Sequence, residues 1–246
     1  MAATLRAACV AAAALLLSAC LVTPGRFDAA LDIRADRSFA FSYKGEVIAS
    51  DMGGAGGPGR PDLAEPQGED SAYGDARLWR IKDGEQDRFD GADEDVERRM
   101  RAIAAALARE KGFRAARYVG NHRFEIDYAI EGMLDHAFLF PFNIDAQIVL
   151  PFVAVELRGD DRVRVKAPGF ANSFDKSQGP PLGGPGDEAA KALDGTFTLT
   201  TDAQIISQNQ EDGAQETERG RRIVWTITPL TSEAPAATLR FGREGQ

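Results

Sequence analysis

Between Phe27 and Ile33 the residues Phe27, Ala29, Leu31 and Ile33 alternate with Asp28, Ala30, Asp32 and Arg34. After Ala35-Asp36-Arg37 the alternation resumes through Phe39, Phe41 and Tyr43 toward Val47-Ile48. A period of two marks a strand with one buried face, and two such runs around a short turn predict an antiparallel β-hairpin. An aromatic ladder of this kind can serve as a ligand platform, but burial against a core is its commoner role. The hairpin therefore requires further elements that cover its apolar face.

The rest of the chain supplies them. Residues 51–76 contain Gly53-Gly54-Ala55-Gly56-Gly57-Pro58-Gly59 and read as a mobile loop, with a short strand between Trp79 and Lys82. A helix follows, capped by Asp90 or Asp93, with Val96, Met100, Ile103 and Leu107 on one stripe and Gly112 at its left-handed end. Arg114–Val119 and Phe124–Ile130 form a second hairpin around Gly120-Asn121-His122. The stretch Leu134–Phe142 is the most aromatic of the chain, and Ile144–Leu157 reads as a long strand interrupted by Pro151. Beyond Arg162–Lys166 and a Gly/Pro-rich loop over 172–190, the runs 195–206, 222–228 and 237–241 complete the sheet, and 209–220 is a long hairpin loop. A helix feeding a hairpin argues for an α+β fold: a mainly antiparallel sheet of hairpins with one principal amphipathic helix packed on it.

Ahead of all this, Arg6 precedes an apolar run from Ala7 to Leu17 that is too short to span a bilayer and reads as an export signal. It ends in Leu17-Ser18-Ala19-Cys20, which resembles the lipobox of bacterial lipoproteins, in which the cysteine is diacylated and becomes the first mature residue. The expected organisation is a signal peptide over 1–19, a lipidated tether over 20–26, and one domain over 27–246. Cleavage removes 19 of the 246 residues and leaves 227, ample for a core. Arg6 departs with the signal, so 28 basic residues face 38 acidic ones, a net charge of −10. Such a chain, with its basic residues scattered, is a poor candidate for holding nucleic acid or for lying flat on an anionic bilayer by charge. Membrane attachment then falls to the acyl chains, each worth about 0.8 kcal/mol per buried CH₂. Cys9 lies in the signal, so Cys20 is the one mature cysteine and an intramolecular disulfide is impossible.

Signatures of chemistry are sparse. The glycine run lacks the Gly-Lys-Ser/Thr of a phosphate-binding loop, there is no Gly-x-Ser-x-Gly elbow, and no cofactor motif occurs. Ser173 has polar neighbours but no assigned base. His122 and His136 lack metal-ligand spacing and could share a metal only if their segments met in space. The acidic triplet Asp93-Glu94-Asp95 suits the positive end of a helix better than a calcium site. What remains is apolar surface: Met133, Leu134, Phe138, Phe140 and Phe142 carry more bulk than one sheet face needs. They read either as core or as a lipid-accepting groove or partner-docking patch.

In outline the chain resembles the LppM-like domain of bacterial lipoproteins. The similarity lies in the lipobox, the early hairpin, the helix before Tyr118-Val119-Gly120, the strand end Ala167-Pro168-Gly169 and the late Trp225-Thr226. The resemblance implies a non-enzymatic α+β envelope domain associated with lipid or membrane-bound ligands. That family commonly adds a transmembrane helix near its C-terminus, whereas Leu239–Arg243 is not one, and no ligand-binding residue carries over. Leu21 after the cysteine is similar to lipoproteins sorted to the outer membrane. The expectation is thus an acyl-anchored lipoprotein facing the periplasm, binding a lipid-like ligand or an envelope protein. The alternative is a periplasmic hydrolase with a site around His136 or His122.

Overall fold

A computed structural model describes residues 21–50, 82–141, 151–172 and 191–242. The loops expected over 51–76 and 172–190 lie outside these residues apart from Asn172, as do Cys20 and Phe142. The fold is α+β, with twelve strands and one long helix among the described residues.

The first hairpin pairs β1, Leu21–Ile33, with β2, Ser38–Ser50. Its turn places Arg37 at φ +70°. The Asp36 carboxylate accepts bonds from the Ser38 hydroxyl and N–H at 2.7 and 2.8 Å, which hold its pKa below the usual carboxylate range. The tether expected over 20–26 is corrected here: strand pairing starts at Leu21, opposite Ser50. Pro24 and Gly25 do not break the strand, because the chain absorbs them as a register shift between Pro24 and Phe27.

Helix α1 spans Lys82–Leu107, so Asp90 and Asp93 lie inside it rather than capping it. Gly91 in a helix interior costs about 1 kcal/mol and does not halt it. The predicted stripe is observed, with Met100 and Ala104 buried and Val96, Ile103 and Leu107 packed against the core. Gly112 takes the left-handed position at φ +95°, where a Cβ would meet the Tyr128 ring at 2.5 Å. The chain then enters β3, Phe113–Gly120, and β4, Arg123–Met133, around a turn in which Asn121 and His122 both have positive φ. The remaining strands are β5, Phe138–Phe140; β6, Val153–Arg158; β7, Arg162–Lys166; β8, Asp194–Thr201; β9, Gln204–Gln208; β10, Gln215–Thr217; β11, Gly220–Ile227; and β12, Ala236–Arg240.

They build two sheets, not the single one expected: β10-β11-β8-β1-β2-β4-β3 and β5-β6-β7-β12-β9. The run expected as one strand over 195–206 is two, β8 and β9, which belong to different sheets. Between them Thr201, fully buried, accepts the Ala203 N–H on its hydroxyl at 3.0 Å, and Asp202 accepts the Ala35 N–H at 2.7 Å. Those bonds fix a corner that residue patterning does not announce. Pro151 precedes β6 and so lies outside the ladder, which leaves β6 free to pair on both sides. β8 runs parallel to β1, with Phe27 opposite Gly195 on that side and opposite Gly45 on β2. A Cβ on either glycine would fall 2.2–2.3 Å from a backbone carbonyl, of Phe27 or Arg26. The two glycines leave room for the Phe27 ring, which turns inward and stacks on Phe170 at 4.2 Å.

Buried residues of both sheets and the helix form one hydrophobic cluster. Phe124, Ile126 and Tyr128 face it together, as the alternation predicts.

Candidate functional site

Aromatic rings run through the seam between the sheets. From Trp225 the contacts pass to Phe197 at 5.5 Å, to Phe170 at 5.5 Å, to Phe152 at 6.2 Å, and to Phe140 at 6.0 Å. Phe140 touches Tyr128, Phe41 and Tyr43 at 4.8, 5.0 and 5.1 Å. Offset aromatic pairs contribute about 0.5–1.5 kcal/mol each beyond their buried area, so the seam is a principal source of stability. Burial drives the Tyr43 phenol pKa well up, and its hydroxyl donates to the Glu46 carbonyl at 2.7 Å. Burial also raises Tyr128.

The seam has an open end. Phe138, half-buried, touches Phe39 and Phe41 at 5.2 Å each, and Phe39 is half-buried as well. Around them Met133 is 54% exposed and Leu139 is 38% exposed. The five residues that read either as core or as an apolar patch therefore divide. Leu134 and Phe140 are core and cannot be part of a surface patch, because alternation along β5 and the turn after β4 sends them inward. Met133 and Phe138 stay at the rim, and Phe142 lies outside the described residues. Sequence reasoning missed Leu139 and did not join Phe39 to this rim. Phe39 carried a signal, its place in the period-two aromatic run, but its contact with Phe138 depends on how β2 and β5 meet across the two sheets.

The histidines do not meet. His122 lies before β4 and His136 after it, and a strand of eleven residues is about 33 Å long. A metal or catalytic site built from both is therefore impossible. His136 pairs through Nδ1 with Asp135 at an exposed surface, and Ser173 lies outside the described residues. Among the described residues no group of three His, Cys, Asp or Glu could hold a metal ion.

A second charged arrangement occupies the other end of β4. Glu46 and Glu125 are directly opposite on β2 and β4, where like charges repel. Guanidinium groups offset this: Arg26 and Arg123 approach Glu46 at 3.0 and 4.0 Å, and Arg117 approaches Glu125 at 3.3 Å. Burial pushes the Glu46 carboxyl up, but the bonds from Arg26 and the charges of Arg26 and Arg123 outweigh it and hold its pKa below the ordinary value. Nearby, the Tyr118 hydroxyl donates to Glu97 at 2.6 Å and ties α1 to β3; burial first, and then this bond, raise its pKa.

No protein-family model matches the chain, and no curated protein matches it. No helix among the described residues is long and apolar enough to cross a membrane. Among solved structures the chain is similar to the NMR structure of the folded domain of the LppM protein of Mycobacterium tuberculosis, at 12% identity over 91% of this chain and 94% of that one, with a TM-score of 0.28. This is a weak structural resemblance.

Proposed function

We propose that the protein is a lipoprotein of the bacterial cell envelope, acylated at Cys20, whose domain binds a lipid-like ligand or an envelope protein without catalysing a reaction. The observation that carries this reading is the sequence Leu17-Ser18-Ala19-Cys20 at the end of a short apolar run. Two or more acyl chains, at about 0.8 kcal/mol per buried CH₂, suffice for durable attachment. The apolar rim of Met133, Phe138 and Leu139 supports the binding half, because its side chains are accessible while their neighbours Leu134 and Phe140 hold the local backbone in place. Leu21 after the cysteine favours the outer membrane, with the domain in the periplasm.

The test is to express the full chain in a bacterial host with labelled palmitate, beside Cys20→Ser. Label in the parent chain, no label in the variant, and movement of the variant from the membrane to the soluble fraction are the expected results. An unlabelled parent would overturn the anchoring. For the binding half, mass spectrometry of the chain purified in mild detergent should find lipid retained by the parent and lost on Met133→Ser with Leu139→Ser. Equal retention by both would overturn the role of the rim.

A further inference from the structure

The acylated residue has no slack before the fold. Strand β1 begins at Leu21, immediately after Cys20, and Leu21 is already paired with Ser50. Consecutive Cα atoms are about 3.8 Å apart. Whatever surrounds the first strand residues must therefore sit at the bilayer surface once Cys20 carries its chains. The register names those surroundings. Ala49, next to Ser50, donates its N–H to the His122 carbonyl at 2.8 Å, which puts the β3–β4 turn beside the anchor. At the rim of that turn Val119 is 51% exposed, a branched aliphatic side chain in open water.

Charge is distributed in the same sense. On β4 the outward-facing residues alternate with buried Phe124, Ile126 and Tyr128. Nearest the anchor, this outward face carries Arg26, Arg117 and Arg123 against Glu46, Glu125 and Asp194, which lies opposite Arg26 on β8, so the charges there balance. Farther along it come Asp127 and Glu131 with Lys44, a local anionic excess. Anionic phospholipid neither attracts nor repels the first region and repels the second.

We propose, resting on the acylation of Cys20, that the β3–β4 turn lies against the bilayer with Val119 in the interface and the ion-paired Arg117, Arg123 and Arg26 at the level of the headgroups. β4 then leads away from the membrane, so that Met133 and Leu139 stand up to about 33 Å farther out, accessible to ligands or partners in the aqueous space. The domain is held in one orientation by its own first strand.

Acylated Cys20 has no free thiol and Cys9 leaves with the signal, so a single introduced cysteine can be labelled uniquely in the mature lipoprotein. The experiment places bimane on Val119→Cys or on His136→Cys, both exposed positions, in the full acylated chain reconstituted into phosphatidylethanolamine and phosphatidylglycerol vesicles with brominated acyl chains. The expected result is strong quenching and a blue shift at position 119, and at position 136 the emission of the same label in water. Chains that float with the vesicles yet quench equally at both positions, or at neither, would overturn the orientation while leaving the anchor intact. Chains that do not float with the vesicles would overturn the acylation reading and this inference together.

Discussion

Leu134 and Phe140 are 1% and 3% exposed, whereas Met133 and Leu139, each one residue away, are 54% and 38% exposed. Phe140 belongs to a seam of rings that reaches Trp225, and Leu134 lies in the same buried cluster. The rim pair belongs to no buried contact network. A single apolar stretch therefore does two jobs, and composition alone cannot separate them. Inward residues of β5 and the turn before it fix where the backbone lies, and the fixed backbone then holds the outward ones in water.

The largest effect that could break this division is on the inward side. Phe140→Ala removes a ring that touches four others, Phe41, Tyr43, Tyr128 and Phe152, and should cost about 4 kcal/mol of unfolding free energy in urea titration. A loss below about 1 kcal/mol would place Phe140 outside the core. Next comes Gly195→Ala, whose Cβ would lie 2.2 Å from the Phe27 carbonyl oxygen. It should cost about 3 kcal/mol by the same titration, because the atom it meets is backbone and cannot turn away. On the rim, Met133→Ser with Leu139→Ser should change stability by less than about 1 kcal/mol while removing bound lipid. A large loss of stability there would make the rim part of the core after all.

The smallest effect concerns the charged row at the other end of β4. Because the folded pKa of Glu46 is depressed, its carboxylate contributes stability above the ordinary carboxylate pKa, and that contribution disappears as pH falls through the folded value. Glu46→Gln should therefore cost about 0.5 kcal/mol near neutral pH, small because Arg26 is largely exposed, and nothing once the parent is protonated. A difference that grew on acidification would contradict the sign.

Local geometry explains which features were legible in the sequence. The alternation through Phe39, Phe41 and Tyr43 and the stripe of Val96, Met100, Ile103 and Leu107 each reflect a period that one element imposes on its own residues. The hairpins, the helix face and the α+β class followed from them. The parallel pairing of β1 with β8 did not, since it joins segments distant in the chain and shows itself only as glycines at 45 and 195 on either side of Phe27. Pro24-Gly25 suggested an irregular tether because both residues disfavour regular strands, yet a bulge accommodates them. At the candidate site the aromatic excess was visible, but its division into interior and rim rests on the meeting of Phe138 with Phe39 across two sheets.

Acylation at Cys20 is read out by mass spectrometry of the N-terminal peptide of the mature chain purified from bacterial membranes. The expected peptide begins at Cys20, lacks residues 1–19, and carries the added mass of a diacylglyceryl group. A mature chain that begins elsewhere, or a Cys20 of unmodified mass, would contradict it.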